Sequence, residues 1–589
     1  MNLTNLDLTI IIAFFAVSLA IGLAASRKAG KGFKEFFLSG RNMPWWLLGV
    51  SMVATTFSAD TPNLVADIVR TNGVAGNWVW WAFLLTGMLT VFVYAKLWRR
   101  SGILTDIEFY EIRYSGKAAA FLRGFRALYL GIFFNVMIMA TVTLAAIKIG
   151  GVMLGLNPFQ TVLIASVVTV IYTSLGGLRG VILTDFVQFI MAMVGLVWAA
   201  VIIVNLPEVG GLSNMLAHEN VSGKLNFIPD FNDPKQLIPL FVIPLAVQWW
   251  SVWYPGAEPG GGGYIVQRVL SAKDEDHAVG ATLLFNLAHY ALRPWPWILI
   301  ALASLIVFPE LDDIAQAFPN VSENFIRHDL AFPAMLTYLP SGLIGLVIAS
   351  LIAAYMSTIS TQLNWGSSYV VNDFYVRFIK PEASEKRQVL VGRISTVVLM
   401  ILSALIALAL SNALQAFNIL LQIGAGTGLL FILRWFWWRI NAFSELAAMI
   451  ISFMVAVYFE FFGPEDLDDY MKLLIGVGIT TVGWLVVTFL TPPTDHKTLV
   501  DFYNLIRPHN AGWQAVIKNS KKSEIEAKNT SSSLGLEIAC MIAGCFAVYG
   551  LLFATGFWIY GNTLGGVVAT GLTILAMMFL RSSWKAVNS

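Results

Sequence analysis

Apolar residues run along this chain in long blocks. About fifteen stretches hold roughly 18 or more mostly apolar positions. They lie near 8–25, 43–69, 77–97, 124–154, 158–175, 183–206, 237–256, 278–308, 341–368, 389–410, 413–437, 443–463, 473–491, 536–557 and 560–580. Each is long enough to cross the hydrocarbon core of a bilayer as a helix. Strands of a membrane barrel alternate in polarity over about 10 residues, and these blocks do not. Lipid supplies no water for free backbone groups, so helices are the remaining way to span it. The pattern predicts an all-α membrane protein of about 15 transmembrane helices.

Two blocks are interrupted at their centres. In the second, Pro62 follows Ser58-Ala59-Asp60-Thr61; proline removes a backbone donor and clashes with the preceding turn, so the helix should break there. In the seventh, Pro255-Gly256-Ala257-Glu258-Pro259 and Gly260–Gly263 cannot hold a continuous helix, and an apolar run resumes at Tyr264. Unwound backbone at membrane depth is tolerated where protein buries it or where it lines a cavity. The interrupted spans are five apart in order, the arrangement expected of a core of two inverted five-helix repeats with discontinuous first helices. A single proline kink would otherwise read as a packing adjustment. The expected organisation is an extra N-terminal helix and basic loop (1–42), a first repeat (43–206), an external loop (207–236), a second repeat (237–440), two further helices (441–491), a cytosolic linker (492–535) and two C-terminal helices with a tail (536–589).

Composition agrees with membrane residence: 57% of residues are hydrophobic, only 12% are charged, and mean hydropathy is +0.72, which excludes an ordinary soluble globule. The net charge of +2 hides an asymmetry. With Met1 placed outside, 30 of the 37 lysines and arginines fall in segments that are then cytosolic, so the positive-inside rule predicts a multi-pass protein of the cell membrane with its N-terminus outside and its C-terminus in the cytosol. The opposite loops are acidic where charged, as at Glu310-Leu311-Asp312-Asp313, and nothing suggests nucleic-acid binding or an obligate protein partner. The first block has no basic stretch before it and Arg27-Lys28 after it, so it reads as a retained helix. Cys540 and Cys545, five apart in one expected helix, point to different sides and suit neither a disulfide nor a metal site. The 492–535 segment, with Lys518, Lys521, Lys522, Lys528 and the polar run Thr530–Ser533, reads as a solvated linker.

Polar residues inside the apolar blocks carry the candidate chemistry. In the ninth block Ser357, Ser360, Thr361, Asn364 and Ser368 recur at spacings of three and four, a single stripe with Thr358 beside it. A lone membrane Ser or Thr usually bonds its own helix carbonyl, but so dense a cluster facing an interrupted helix predicts a site for a hard cation, which takes oxygen ligands. Asp60 and Thr61 flank the first break. Asn286, His289, Tyr290 and Arg293 share a face of the eighth block, and Gln415, Asn418 and Gln422 recur along the eleventh. Such groups are costly in lipid and should face a cavity or partners. Trp78-Val79-Trp80-Trp81 could supply an aromatic wall, although most of the 20 tryptophans should be interfacial anchors or packing.

With these residues in view the chain resembles the sodium:solute symporter family, which includes sodium–glucose, sodium–proline and sodium–sialic acid transporters. The resemblance runs to about residue 490. It rests on Ser357-Thr358 with Ser360-Thr361 and Asn364, on Tyr172-Thr173-Ser174-Leu175-Gly176-Gly177-Leu178 leading to Thr184-Asp185, and on Tyr264-Ile265-Val266-Gln267-Arg268. It implies sodium as the coupling ion, held by carbonyls of Ala54, Phe57 and Ala354 and hydroxyls of Ser357 and Thr358. Some members have a second sodium site, to which Asp185, Ser360 and Thr361 correspond; the alternative for Asp185 is a helix-end or ion-pair role at the cytosolic face. Tyr264 matches the family's inner-gate tyrosine, and His289 falls near a lysine that contacts substrate in the sugar transporters. The tryptophan patch stands where those relatives carry a sugar-binding glutamate, and the 255–263 insertion replaces their asparagine, so the pocket is no copy of theirs. The substrate residues expected are Asp60, Thr61, Trp80, Tyr264, His289, Arg293, Gln415 and Gln422.

Together these readings predict a secondary active symporter that imports a small polar organic solute, a sugar or sugar derivative by its Asp, Gln, His and aromatic inventory. An amino acid, a betaine or a carboxylate remains open. A channel would need a continuous polar pore, whereas the polar residues here cluster centrally. A sensor built on a transporter body would leave the same core. No phosphate-binding glycine loop, paired catalytic carboxylates or metal-ligand histidine spacing marks an ATP-driven pump or an enzyme.

Overall fold

The computed structural model describes residues 3–588 apart from 30, 253–257, 320, 322, 411–423, 425, 465, 522–523 and 526–532. Among the described residues the chain is helical and without strands. Eleven helices among the described residues are long and apolar enough to cross a membrane, and shorter apolar helices cover Trp45–Thr56, Pro158–Ile171 and Pro234–Ala246. These shorter ones fall where the sequence predicts spans; the span expected near 413–437 begins in residues outside the described set.

In chain order the helices are α1 (Asn5–Ala29), α2 (Trp45–Thr56), α3 (Thr61–Asn72), α4 (Val74–Ser101), α5 (Gly116–Leu154), α6 (Pro158–Val204), α7 (Pro234–Ala246), α8 (Gly263–Ser271), α9 (Glu275–Val307), α10 (Leu343–Ile379), α11 (Glu385–Ala409), α12 (Ala442–Phe461), α13 (Asp469–Leu490), α14 (His496–Ile506), α15 (Leu534–Ile559) and α16 (Thr563–Asn588). Of the eleven membrane-length helices α10 is the most deeply buried. It packs on α6, which runs along α1 as well, while α2 lies against α6 and the first half of α9.

The first interruption has a clear local cause. Helix α2 stops at Thr56, where Phe57 leaves helical geometry (φ −85°, ψ 67°), and α3 starts at Thr61 with Pro62 in its first turn. There the missing N–H of proline is harmless, because no carbonyl of the same helix waits for it. The second interruption separates α7 from α8. Its glycines Gly260, Gly261 and Gly263 adopt positive φ, between 52° and 93°, a region that only glycine visits without strain. The two broken elements are tied together: Met43 N donates to Ser271 O (3.2 Å) and Lys273 N to Met43 O (3.2 Å), so the start of α2 is fastened to the end of α8.

Two expectations change. The sequence leaves a cytosolic segment at 176–182 between the spans 158–175 and 183–206, but the two helical stretches of α6 meet there without a loop, at a kink where Gly177 leaves helical geometry (φ 53°, ψ −163°). A side chain at Gly177 would meet the Phe36 carbonyl at 2.7 Å, so turn and close approach both need glycine. Part of the 492–535 linker, from α14 to Trp513, is also packed against the membrane helices, while other described residues of the segment stay exposed. Trp513 is buried and donates from Nε1 to Trp435 O (3.0 Å), and the Arg113 guanidinium lies 5.0–5.3 Å from the rings of Tyr114, Phe502 and Trp513. The aromatic residues of α14 and its neighbour supply an apolar face that the lysine count conceals.

One carboxylate orients the central helix. Asp7 on α1 accepts from the backbone N–H of Gly342 (2.7 Å) and Gly345 (3.0 Å), capping α10 from a different helix where its first donors have no partner within it.

Candidate solute and cation sites

Where α2 ends and α3 begins, both break termini open onto a cavity of about 160 Å³. Its lining includes Thr55, Thr56, Ser58, Asp60 and Thr61 from the break, Trp80 and Phe83 from α4, Tyr264 from α8, His289, Tyr290 and Arg293 from α9, and Thr358 and Gln362 from α10. Six of the expected substrate residues thus share one cavity: Asp60, Thr61, Trp80, Tyr264, His289 and Arg293. Gln415 and Gln422, with Asn418, lie outside the described residues.

The α9 residues reach the cavity because the helix widens into a π-turn over Ala288–Leu292, a distortion often found where side chains are aimed at a site. Arg293 donates from Nη2 to His289 Nε2 (3.1 Å) and from Nε to His289 O (3.2 Å). Arginine can only donate, so Nε2 is the acceptor and Nδ1 carries the proton that bonds Thr56 Oγ1 (3.0 Å). The hydrogen bonds of Arg293 therefore end on neutral groups, and its face lies 5.2 Å from the Trp297 ring. Asp60, across the same cavity, has an Oδ1 with no hydrogen bond of good geometry, the Ser58 hydroxyl beside it. A buried polar atom left unpaired costs about 1–3 kcal/mol, so a ligand offering donors would be welcome there. Trp80 stacks on Tyr290 at 5.9 Å and meets His289 edge-on at 5.8 Å. Trp78 and Trp81 face away and pack against Tyr549 and Phe553 of α15.

Next to the cavity lies the hydroxyl stripe of α10. Thr358 Oγ1 donates to Thr55 O (2.8 Å) and Ala354 O (3.2 Å), joining α10 to the C-terminal end of α2. Phe57 N bonds Ala54 O (3.1 Å), which places the last carbonyls of α2 at the break. A helix C-terminus carries partial negative charge, and hydroxyls that have given away their hydrogens still present lone pairs. Ala54, Phe57, Ala354, Ser357 and Thr358 are thus drawn from the two facing elements the sequence pairs.

The second residue group is brought together with an addition. Asp185 on α6 is fully buried and accepts from Ser357 Oγ (2.6 Å) and Ser51 Oγ (2.5 Å). Its other neighbour is the Arg268 guanidinium, 3.7 Å away, which also donates to Thr361 Oγ1 (2.6 Å). Ser360 turns to its own helix and donates to Ser357 O (3.1 Å). Asp185 therefore faces a guanidinium, as its ion-pair reading has it.

The glycine segment before α8 is held on three sides. Asp106 accepts from Gly263 N (2.8 Å), Trp98 donates to Gly260 O (2.8 Å), and Arg126 pairs with Glu258 (2.5 Å). Asp106 also accepts from the Tyr369 hydroxyl. Sequence reasoning overlooked this clamp, and it overlooked the roles of Ser51, Thr55 and Arg268. Ser51, Thr55 and Ser58 recur at four and three in an apolar block, a signal that was present, whereas Arg268 falls between the listed blocks, after the apolar run that resumes at Tyr264.

The sodium:solute symporter family pattern matches residues 36–452, well over half of the chain. The protein belongs to the sodium:solute symporter family. Among its relatives, the sodium/glucose cotransporter of Vibrio parahaemolyticus is 25% identical over 481 residues, covering 78% of this chain and 86% of that one. The sodium/mannose cotransporter of Bos taurus is 27% identical over 496 residues, 79% of this chain and 80% of that one. Among solved structures, a Na+-coupled sialic acid symporter in a substrate-bound, outward-open state aligns with a TM-score of 0.66 at 23% identity, over 84% of this chain and all of that one. At that identity the likeness speaks for the fold. Family membership makes this a membrane transporter that uses sodium and carries a small-molecule solute.

Proposed function

We propose that this family member is a sodium-coupled symporter that imports a sugar or sugar derivative by alternating access. The observation that carries the reading is the single cavity at the α2–α3 break, where a carboxylate with an oxygen short of a good hydrogen bond, an arginine–histidine pair and an aromatic platform converge. Hydroxyl groups of a sugar donate to carboxylates and accept from arginine, and its apolar ring face stacks on tryptophan. Asp60, Thr61, Trp80, Tyr264, His289 and Arg293 are the proposed solute contacts, with Gln415 and Gln422 completing them from the eleventh apolar block. Arg293 supports a second reading, a sugar acid, because a guanidinium engages a carboxylate with two parallel bonds.

The proposed sodium site lies between α2 and α10, with carbonyls of Ala54, Phe57 and Ala354 and the hydroxyls of Ser357 and Thr358. All five ligands are neutral, which suits a monovalent ion that must leave again. An ion there would join α2 to α10 beside the cavity and favour the arrangement that binds solute, the differential binding on which coupling depends. The interrupted spans α2–α3 and α7–α8 would head two inverted repeats, residues 43–206 and 237–440, and the basic segments would lie in the cytosol with the C-terminus. Relatives named for glucose and mannose support a sugar.

Thermal-shift measurements on purified protein against sugars, sugar acids and amino acids, each with and without sodium, test the reading. A sugar or sugar acid should raise the melting temperature more in sodium than in potassium. Stabilisation by amino acids alone would replace the solute class.

A further inference from the structure

Helix α15 lies beyond residue 452, where the match to the family pattern ends, yet it is fastened to two walls of the solute cavity. On the α4 side the Tyr549 hydroxyl donates to Trp81 O (2.7 Å), just where α4 loosens into a turn at Ala82 and Phe83. That carbonyl stands between Trp80 and Phe83, which both line the cavity. The Tyr549 ring also packs on Trp78 at 5.1 Å, and Gly544 lets α15 come so near α4 that a side chain there would meet Met88 Sδ at 2.6 Å. On the α9 side Trp295, two positions after Arg293, donates from Nε1 to Leu552 O (3.0 Å). A side chain at Gly556 would collide with the Trp295 ring, so α9 too is held at close approach. The same helix packs on the π-turn that carries His289 and Tyr290. It therefore braces both elements whose side chains, Trp80 and Tyr290, stack at 5.9 Å as the aromatic platform of the cavity.

We propose that α15 is a positioning element of the solute site and that Tyr549 is its main positioning residue, whose hydroxyl fixes where Trp80 and Phe83 stand and thereby sets solute affinity. The inference rests on the symporter reading above. A binding surface holds its ligand well only while supporting bonds keep its side chains near the productive geometry. The bond from Tyr549 is such a support, because it reaches the backbone between two lining residues without touching the cavity itself. The proposed sodium ligands sit on α2 and α10, whereas α15 packs on α4 and α9. Solute and sodium affinities should therefore part when this bond is lost.

Uptake of radioactive D-glucose and D-mannose into proteoliposomes, with equilibrium binding of radioactive sodium to the solute-free protein, tests this. Tyr549→Phe keeps the ring and removes one hydrogen bond; it should raise the sugar KM about tenfold, with kcat changed less than about twofold and sodium binding unchanged. Gly556→Ala, which displaces Trp295, should do the same. An unchanged KM in Tyr549→Phe would overturn the proposal, as would a parallel loss of sodium binding, the mark of general damage. If Tyr549→Phe does not fold, Gly556→Ala decides by the same readings. A wild type that takes up neither sugar in sodium would refute the sugar reading instead, and hydrogen exchange then decides: Tyr549→Phe should speed exchange of the amides at 80–85 about tenfold, and exchange at the wild-type rate would overturn the proposal.

Discussion

Asp185 with Arg268 and Asp60 with Arg293 are two carboxylate–guanidinium sets buried in the same membrane protein, and they are furnished differently. Asp185 is saturated, with two hydroxyls and a guanidinium at 2.5–3.7 Å. Asp60 keeps an oxygen without a hydrogen bond of good geometry, and Arg293 bonds only a histidine, a carbonyl and a hydroxyl. A buried charge that is fully paired belongs to the framework, whereas one left partly unpaired beside a cavity is arranged for something that comes and goes. The geometry thus separates the part of the polar core that holds helices together from the part proposed to meet solute.

The sharpest way to break this contrast is to empty each set. Asp185→Ala strands Arg268 without its carboxylate, and removing one partner of a buried pair costs about 3–5 kcal/mol; the expected outcome is low yield and a much lower melting temperature in detergent. Arg293→Ala should leave the fold largely intact yet weaken solute affinity about 100-fold, or nearly 3 kcal/mol, with Asp60→Asn losing about tenfold, both read as solute affinity in sodium. A melting-temperature loss in Arg293→Ala as large as that of Asp185→Ala would erase the distinction. Thr358→Ala removes a hydroxyl that touches neither carboxylate and should weaken sodium affinity about tenfold, or about 1.4 kcal/mol, measured as the sodium concentration for half-maximal uptake. The smallest effect belongs to a third carboxylate: Asp7→Ala removes a cap from α10 and should lower stability by about 1 kcal/mol, leaving sodium and solute affinities unchanged.

Block lengths alone indicated most of the helices, because crossing a bilayer demands about 20 apolar residues and little else produces such runs. Both interruptions were legible too, since Pro62 and the Gly260–Gly263 run cannot continue a helix. The kink at Gly177 was hidden: a glycine two positions before Arg179 looks the same whether the chain turns through a loop or passes directly from one helix into the next. The linker misled for a related reason. Its lysines dominate the composition, while Leu499, Phe502, Ile506 and Trp513, the residues that dock it, are few and spaced at helical intervals. Within the candidate site, Asp60, His289 and Arg293 stood out because polar groups are rare in apolar blocks. Arg268 was read as part of a motif, and its pairing with Asp185, 83 positions away in the chain by the difference of their numbers, appears only when α6 and α8 are placed side by side.

Solute accumulation by purified protein in proteoliposomes, driven by an inward sodium gradient and repeated with potassium or choline in place of sodium, tests the central claim most directly. The account predicts concentrative uptake in sodium that collapses in the other two and falls in Thr358→Ala. Equal accumulation in all three media would contradict it.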